Sequence, residues 1–450
     1  MIKLAGRLVQ TALKSGRDRK ALRETLRALA RDPAAHVDDP DLGALARAMK
    51  GSDAPVFRPR ELPAPWRSWG EDLDSNALQQ MQNACMLPVA HSGALMPDAH
   101  LGYGLPIGGV LATKNAVIPY AVGVDIACRM RLTVLDIPLE QLEGMRQRLI
   151  NVLEDETRFG IGASFSGKAV RDHAVMDRDW DAVTITREMR AKARAQLGSS
   201  GSGNHFVEYG ELSLDKPDLG LAAGSYLALL THSGSRGAGA AVASTYSKRA
   251  MQRHPELPKQ LSHLAWLDLD SEDGQEYWAA MSLMGEYAAA NHEVIHREML
   301  RALKAKALAE VENHHNFAWK ETHDGEDLVV HRKGATPAGA GVLGIIPGSM
   351  ATPGYVVRGK GSRAALDSAS HGAGRVMSRK AAKQRITWSQ VKKQLAQSGV
   401  TLLSAGLDEA PDVYKDIDQV MAAQQDLVDV VARFEPRIVK MAPAGERPED

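Results

Sequence analysis

Glycine is not spread evenly along this chain. It gathers in short stretches that each hold a histidine or an Asp/Cys pair: MPDAHLGYGLPIGGV (Met96–Val110), VGVDIACRM (Val122–Met130), GSSGSGNHFVEYG (Gly198–Gly210), THSGSRGAG (Thr231–Gly239) and SASHGAGRVMSR (Ser368–Arg379). With 40 glycines and only 5% aromatic residues, these loops constrain the fold more than any single apolar segment does. A residue without Cβ lets backbone N–H groups approach a ligand and adopt φ > 0, which is how anion-binding nests are built. Between the loops, PIGGVLAT, YLALLTHS and LVVHRKG read as short buried strands. Val183–Gln196 and Glu286–Leu308 read as helices. Strands and helices are mixed without a regular βαβ repeat, which predicts an α+β fold with one large domain.

Lys+Arg and Asp+Glu balance at 55 each, so net charge marks no nucleic-acid or membrane surface, and a polyanion must be met at local sites. The two cysteines, Cys85 and Cys128, lack the spacing of a disulfide framework or a zinc knuckle, which fits a reducing, cytoplasmic setting. No apolar run reaches membrane-spanning length, so no membrane partner is expected. Lys3, Arg7 and Gln10 interrupt the start of the chain, which excludes a secretory signal.

Residues 1–55 read as a basic helical N-terminal extension. Leu4, Leu8, Leu13, Leu22, Leu26 and Leu29 recur at near-helical spacing. Up to Arg31 the acids are Asp18 and Glu24, against Lys3, Arg7, Lys14, Arg17, Arg19, Lys20, Arg23, Arg27 and Arg31. Of a targeting peptide, an RNA-contacting arm and a plain amphipathic appendage, the pattern favours the last. The proline-rich run Asp53–Trp66 supplies a linker over 56–65, followed by the main domain at 66–441 and a disordered tail at 442–450.

Asp125 and Cys128 stand in D-x-x-C spacing, so carboxylate and thiolate can turn toward one point. Each of Cys128, His205, His232 and His315 (in ENHHNF) reads alone as an ordinary buried thiol or hydrogen-bonded loop histidine. Together with Asp125 they form a soft-to-borderline ligand set suited to manganese or zinc. Arg236 and Arg375 lie where nests and helix starts hold phosphate, and the guanidinium fork suits bidentate binding. Glu208 reads equally as a carboxylate behind the ligands, a base-reading acceptor or a solvated side chain. His100, His314, His323 and His331 read as structural. The chain has no Walker A motif, no dinucleotide fingerprint and no K-x-D-G lysine, so covalent nucleotide activation would have to use histidine.

Taken in order with GNHFVE, HSGSRG, NHHNF, HRKGA, GIIPGSM and EAPDVYKDIDQVMAAQQDLVDVV, these stretches resemble the RtcB family of RNA ligases, GTP-dependent enzymes of tRNA splicing and RNA repair. The resemblance covers roughly Trp66 to Lys440. It implies an RtcB-like catalytic domain that joins RNA 3′-phosphate or 2′,3′-cyclic phosphate ends to 5′-hydroxyl ends, using GTP and two manganese ions. His371 resembles the histidine that takes GMP, and Cys128 the thiolate shared by both metals. Asp125 and His205 would complete one ligand set, His232 and His315 the other. Asn204, Glu208, His315, Asn316, Ser349, His371, Gly372, Ala373, Gly374, Tyr414 and Lys440 resemble nucleotide-binding positions, with Glu208 on the guanine. Arg236 and Arg375 resemble the pair that holds RNA phosphate.

The chain departs from the family at Arg129 and Ala351, where glycine is usual, and at Gly354, where serine is usual. A neutral nucleophile and a metallated thiolate imply activity that falls in acid. The same scaffold also admits a metal-dependent RNA-end phosphoesterase, in which water replaces His371, or a non-catalytic RNA-end-binding protein.

Overall fold

A computed structural model describes residues 2–50 and 57–446. Residue 56 of the expected linker and residues 447–450 of the expected tail lie outside the described residues. The described part of that tail is in contact with the domain: Ala442 is buried and Ile161 N donates to Glu446 Oε2 at 3.4 Å. The chain forms two compact units, the smaller comprising residues up to Arg58 with Pro255–Pro258 and the larger Pro59–His254 with Lys259 onward.

The smaller unit holds helices Ile2–Lys14, Arg19–Arg31 and Gly43–Lys50. Ala12, Leu22, Leu29, Leu42, Leu45 and Ala46 form its own core, so the leucine periodicity read from the sequence is spent within this unit. Arg17 donates to Asp39 and Asp41, each at 2.8 Å, and ties the loop after the second helix to the turn before it.

The larger unit is α+β. An eight-stranded sheet runs in the order Leu343–Ile346, Gly354–Gly359, Val428–Met441, Phe206–Leu214, Gly224–Ser233, Arg129–Leu135 and Ala307–His314, with Thr401–Ser404 also paired to Val428–Met441. Period-two alternation divides its side chains between two cores. Leu227 and Leu229 face helices Leu142–Glu156 and Glu272–Leu303, whereas Ala228 and Leu230 face Val356 and Phe434. Burying each such leucine is worth about 1.5–3 kcal/mol.

The helix expected over Glu286–Leu308 begins earlier and ends sooner, at Glu272–Leu303. Ser271 caps it by accepting from Gly274 N, and Lys304 stops it in the left-handed conformation at φ 55°. Ala307 can then enter the sheet.

A five-stranded sheet orders Trp66–Ser68, Ala90–His100, Ile107–Thr113, Glu326–Lys333 and Asn316–His323. The chain passes from the large sheet to this one at His315, between strands Ala307–His314 and Asn316–His323. His331 anchors the join on the far side. It accepts from Ile118 N at 2.9 Å through Nε2 and donates from Nδ1 to Leu111 O at 3.0 Å. Ile118 is the entry to the short helix Pro119–Val122 that leads into the Asp125 loop.

Burial pushes His331 down to about 4, against about 6.5 in the unfolded chain. The unfolded state therefore binds a proton that the fold refuses between those values, and the stability held above pH 6.5 falls as pH drops toward 4. His331→Gln, which keeps an acceptor for Ile118 N, is expected to flatten that fall by up to about 1.4 kcal/mol per pH unit. Urea unfolding followed at several pH values between 4 and 7 measures it.

Candidate functional site

Four adjacent strands of the large sheet bring their terminal residues to one edge. His205 precedes Phe206–Leu214, His232 lies near the end of Gly224–Ser233, Cys128 precedes Arg129–Leu135 and His315 follows Ala307–His314. The register fixes their proximity, since His232 is opposite both Met130 and Phe206, and Arg129 is opposite His314.

Cys128 Sγ stands 3.0 Å from His232 Nε2 and 3.4 Å from His205 Nε2. His232 Nε2 is 3.2 Å from His315 Nε2, and His205 Nε2 is 3.0 Å from Asp125 Oδ2. His205 Nδ1 donates to Ser200 O at 2.9 Å, and His232 Nδ1 donates to Asn204 O at 3.1 Å. A neutral imidazole has one donor nitrogen, so Nε2 of a neutral His232 presents a lone pair. Burial pushes His232 down to about 3 and His315 well below its ordinary value, so both rings are neutral.

Burial alone would raise the Asp125 carboxyl, but the side chains of His205, Cys128 and Arg236 around it hold it below its ordinary value. Imidazole nitrogens, a thiol and a carboxylate thus converge on one point. The ligand atoms of Cys128, His205 and His232 all lie within 4.8 Å of one another, and this donor set fits a divalent metal of borderline softness. Gly234 permits the closure: a Cβ there would meet Asp125 Oδ1 at 2.1 Å. The same oxygen accepts from Ser235 N at 3.1 Å.

His371 follows the short strand Ser368–Ser370, which pairs with Ala335–Pro337. Its Nδ1 lies 2.7 Å from Oδ2 of Asp98, a residue of strand Ala90–His100. The same oxygen accepts from His371 N at 3.1 Å and Gly372 N at 3.3 Å. Burial opposes the charge on Asp98, yet His371, His100 and Lys415 beside it keep the carboxyl below its ordinary value. A carboxylate can only accept, so Nδ1 carries a proton and Nε2 is the nitrogen left outside this bond. Gly374, at φ +76°, lets the loop fold over Asp98, where a Cβ would come within 2.0 Å of Asp98 O. The His371 ring lies 5.0 Å, centroid to centroid, from that of His315.

One cavity takes in this whole arrangement. It is lined by Asp125, Cys128, His205, His232, His315 and His371, and also by Asn204, Glu208, Asn316, Ser349, Gly372, Ala373, Gly374, Arg375 and Tyr414. Burial pushes the Glu208 carboxyl well above its ordinary value, which favours its uncharged form at the cavity wall. Arg375 is not at a helix start, because the next helix begins at Arg379 behind the Ser378 cap. Its guanidinium donates to Asp408 O at 2.7 Å and to Glu409 Oε2 at 3.3 Å, within 5.5 Å of the Tyr414 ring.

Two expected site residues do not line the cavity. Arg236 is buried at the start of helix Arg236–Arg253, donating to Ser199 Oγ and Gly160 O at 3.0 Å each. Strand alternation turns Val439 and Met441 into the cavity, while Lys440 bonds Leu153 O at 3.1 Å and Glu154 Oε2 at 2.8 Å. The unusual Arg129 also stays out of the cavity, donating to Gly285 O of the long helix at 3.3 Å. Gly354 does line it, and a Cβ there would lie 3.2 Å from Pro347 Cα.

Three further groups, passed over in residue-by-residue reading, belong to the site. Asp98, within MPDAH, is fully buried behind His371 and does not itself line the cavity. Arg379 and Glu409, which pair with each other at the cavity wall, carried no signal beyond lying near Arg375 and within EAPDVYKD.

Comparison with known proteins bears on the same residues. The family model described as tRNA-splicing ligase RtcB matches residues 80–441. An RNA-splicing ligase RtcB of Escherichia coli K12 is 35% identical over 405 residues, covering 82% of this chain and 95% of the relative. A tRNA-splicing ligase RtcB of Thermococcus kodakarensis is 31% identical over 462 residues, covering 85% and 96%. An RNA-splicing ligase RtcB of Mycobacterium tuberculosis is 32% identical over 430 residues, covering 79% and 98%. With a family model spanning most of the larger unit and its cavity, and relatives matched along nearly their whole length, the chain belongs to the RtcB family.

Proposed function

We propose that this protein is a GTP-dependent RNA ligase that joins an RNA 3′-phosphate or 2′,3′-cyclic phosphate end to a 5′-hydroxyl end through a guanylylated His371. The observation that carries the reading is the pairing of His371 with Asp98 beside the convergent ligand set. The Asp98 carboxylate keeps the proton on Nδ1, so Nε2 is the nitrogen with a lone pair for attack on phosphorus. One metal would be held by Asp125, Cys128 and His205, and a second by Cys128, His232 and His315. When bound, manganese ions there supply charge neutralisation for the triphosphate.

In the first step His371 Nε2 attacks the α-phosphorus of GTP. A P–N bond forms, the bond to the β-phosphate oxygen breaks and pyrophosphate leaves. Asp98, still bonded to Nδ1–H, stabilises the positive charge that develops on the ring. An oxygen of the RNA 3′-phosphate then attacks the same phosphorus, breaking the P–N bond and returning the lone pair to Nε2. Finally the 5′-hydroxyl oxygen attacks the activated 3′-phosphate and GMP departs. A cyclic phosphate is first opened by water to the 3′-phosphate. Glu208 reads the guanine, with Asn204, Asn316, Ser349 and Tyr414 around the nucleotide, and Arg375 meets RNA phosphate at the cavity wall. The buried position of Arg236 supports a role in tying the Gly160 turn to the Ser199 loop more than a direct grip on RNA.

Incubation with α-labelled GTP and manganese, followed by denaturation, tests the reading. The expected result is covalent label that is stable in alkali and lost in acid, and label from ATP at least about 10-fold weaker. Absence of covalent label with release of phosphate from 3′-phosphate RNA in its place would favour the phosphoesterase.

A further inference from the structure

The N-terminal unit carries a charged face that the proposed reaction does not use. Helix Arg19–Arg31 opens on Asp18, whose carboxylate accepts from Lys20 N and Ala21 N, and it buries Leu22 and Leu29 in the unit's own core. At 3.6 residues per turn Arg19, Arg23, Arg27 and Arg31 form a ladder at i, i+4, and Lys20 falls on the same side. These cations cover about 120° of the helix circumference over about 18 Å. All are exposed, and among the described residues none enters an ion pair or a side-chain hydrogen bond.

Like charges at i, i+4 repel and weaken the helix that carries them, so the ladder is a cost to folding that an anionic occupant would relieve. The unit's acids do not cancel the ladder: Asp39 and Asp41 are committed to Arg17 and Asp18 caps the helix, which leaves exposed Glu24 as the acid within the helix against its five cations. Exposed Arg7 and Lys14 add charge two turns apart on one line of helix Ile2–Lys14. Because the whole chain has a formal net charge of +0, this face is a local device and not a share of a general excess.

An anionic lipid surface would also attract cations, yet an interfacial helix must insert its apolar face. Here Leu22 and Leu29 are closed against Ala12, Leu42 and Leu45. What remains is a row of guanidinium groups about 6 Å apart along the axis, a spacing that the phosphates of one strand can follow.

We propose that helix Arg19–Arg31 is a docking face for the RNA phosphate backbone, giving the substrate a sequence-independent hold outside the cavity. The choice of RNA rests on the ligase reading above; the anionic occupant rests on the helix itself.

The test uses the full chain and a fluorescent single-stranded RNA whose ends cannot be ligated, so binding is read whether or not guanylylation occurs. Affinity is measured by anisotropy at rising salt for wild type and for a variant with Arg19, Lys20, Arg23, Arg27 and Arg31 all changed to Gln. Each phosphate contact to a single strand adds about 0.7 to the slope of log affinity against log salt. The five cations should therefore steepen it by about 3.5, and a fourfold rise in salt should cost wild type roughly 100-fold more affinity than the variant. A milder R23Q/R27Q variant should lower the slope by about 1.4, and replacing the four arginines by Lys should leave it unchanged. Equal affinity and slope for wild type and both Gln variants would overturn the proposal. So would wild-type binding to phosphatidylserine vesicles with no Gln-sensitive binding to RNA. Loss of covalent guanylate with this salt signature intact would defeat the ligase reading alone.

Discussion

His371→Ala is expected to take no covalent guanylate, with strand joining at least about 10⁴-fold below wild type. The size follows from the role proposed, because removal of Nε2 leaves no atom to carry GMP between GTP and RNA. The same change also removes the side-chain donor to Asp98, a fully buried carboxylate whose remaining bonds come from the His371 and Gly372 amides. Leaving a buried charge short of its partner costs about 3–5 kcal/mol, so His371→Ala should also melt earlier. His371→Gln keeps an N–H for Asp98 and should label no better while melting closer to wild type. Asp98→Asn is the graded companion. It keeps Nε2 but withdraws the charge that stabilises the ring during attack, and should slow guanylylation about 10²–10⁴-fold. Rapid-quench labelling with thermal melts separates the outcomes. Label on His371→Gln at wild-type level would remove His371 from the chemistry.

The second large effect is expected at Cys128→Ala. Its Sγ is the atom that stands beside both His205 and His232, so one substitution should disable both proposed metal sites. Loss of a group behind a metal ligand typically costs about 10–100-fold in metal affinity, and loss of a shared thiolate should exceed that. Manganese retained after gel filtration should fall from two per chain to below one, with guanylylation down at least about 10³-fold. Cys85 is the internal control. It is buried in apolar surroundings that push its thiol up to about 12, so Cys85→Ala should change neither manganese content nor labelling. Metal content of Cys128→Ala equal to wild type would show that the thiolate holds nothing.

Much of the candidate site is legible only in combination. Asp125, Cys128, His205, His232 and His315 are each ordinary alone, and as a set they suggest ligands because ligand chemistry belongs to side-chain type and glycine-rich loops mark where a backbone can close on an ion. His371 needed the others to be noticed. Asp98 was passed over because its meaning lies in a hydrogen bond spanning 273 positions, which no local pattern encodes. Lys440 shows the limit most clearly. Its neighbours Val439 and Met441 reach the cavity and it does not, since strand alternation sends a side chain to one face or the other according to a register set by partner strands. Arg236 was expected beside phosphate for its loop and charge, and it is Ser199 and Gly160, brought up by distant chain, that claim its guanidinium.

The amino-acid sequence by itself determined the α+β character, the glycine-rich loops, the candidate ligand types and the leucine stripe of the N-terminal helices. These depend on side-chain chemistry and on spacing within one turn or one strand. Only the tertiary structure decided that the Asp98 carboxylate holds Nδ1 of His371, that Arg129 and Lys440 turn away from the cavity, and that helix Arg19–Arg31 spends its leucines on its own core while its cations stay in water. Direction and partnership are set by long-range strand register and packing, and a linear pattern carries neither.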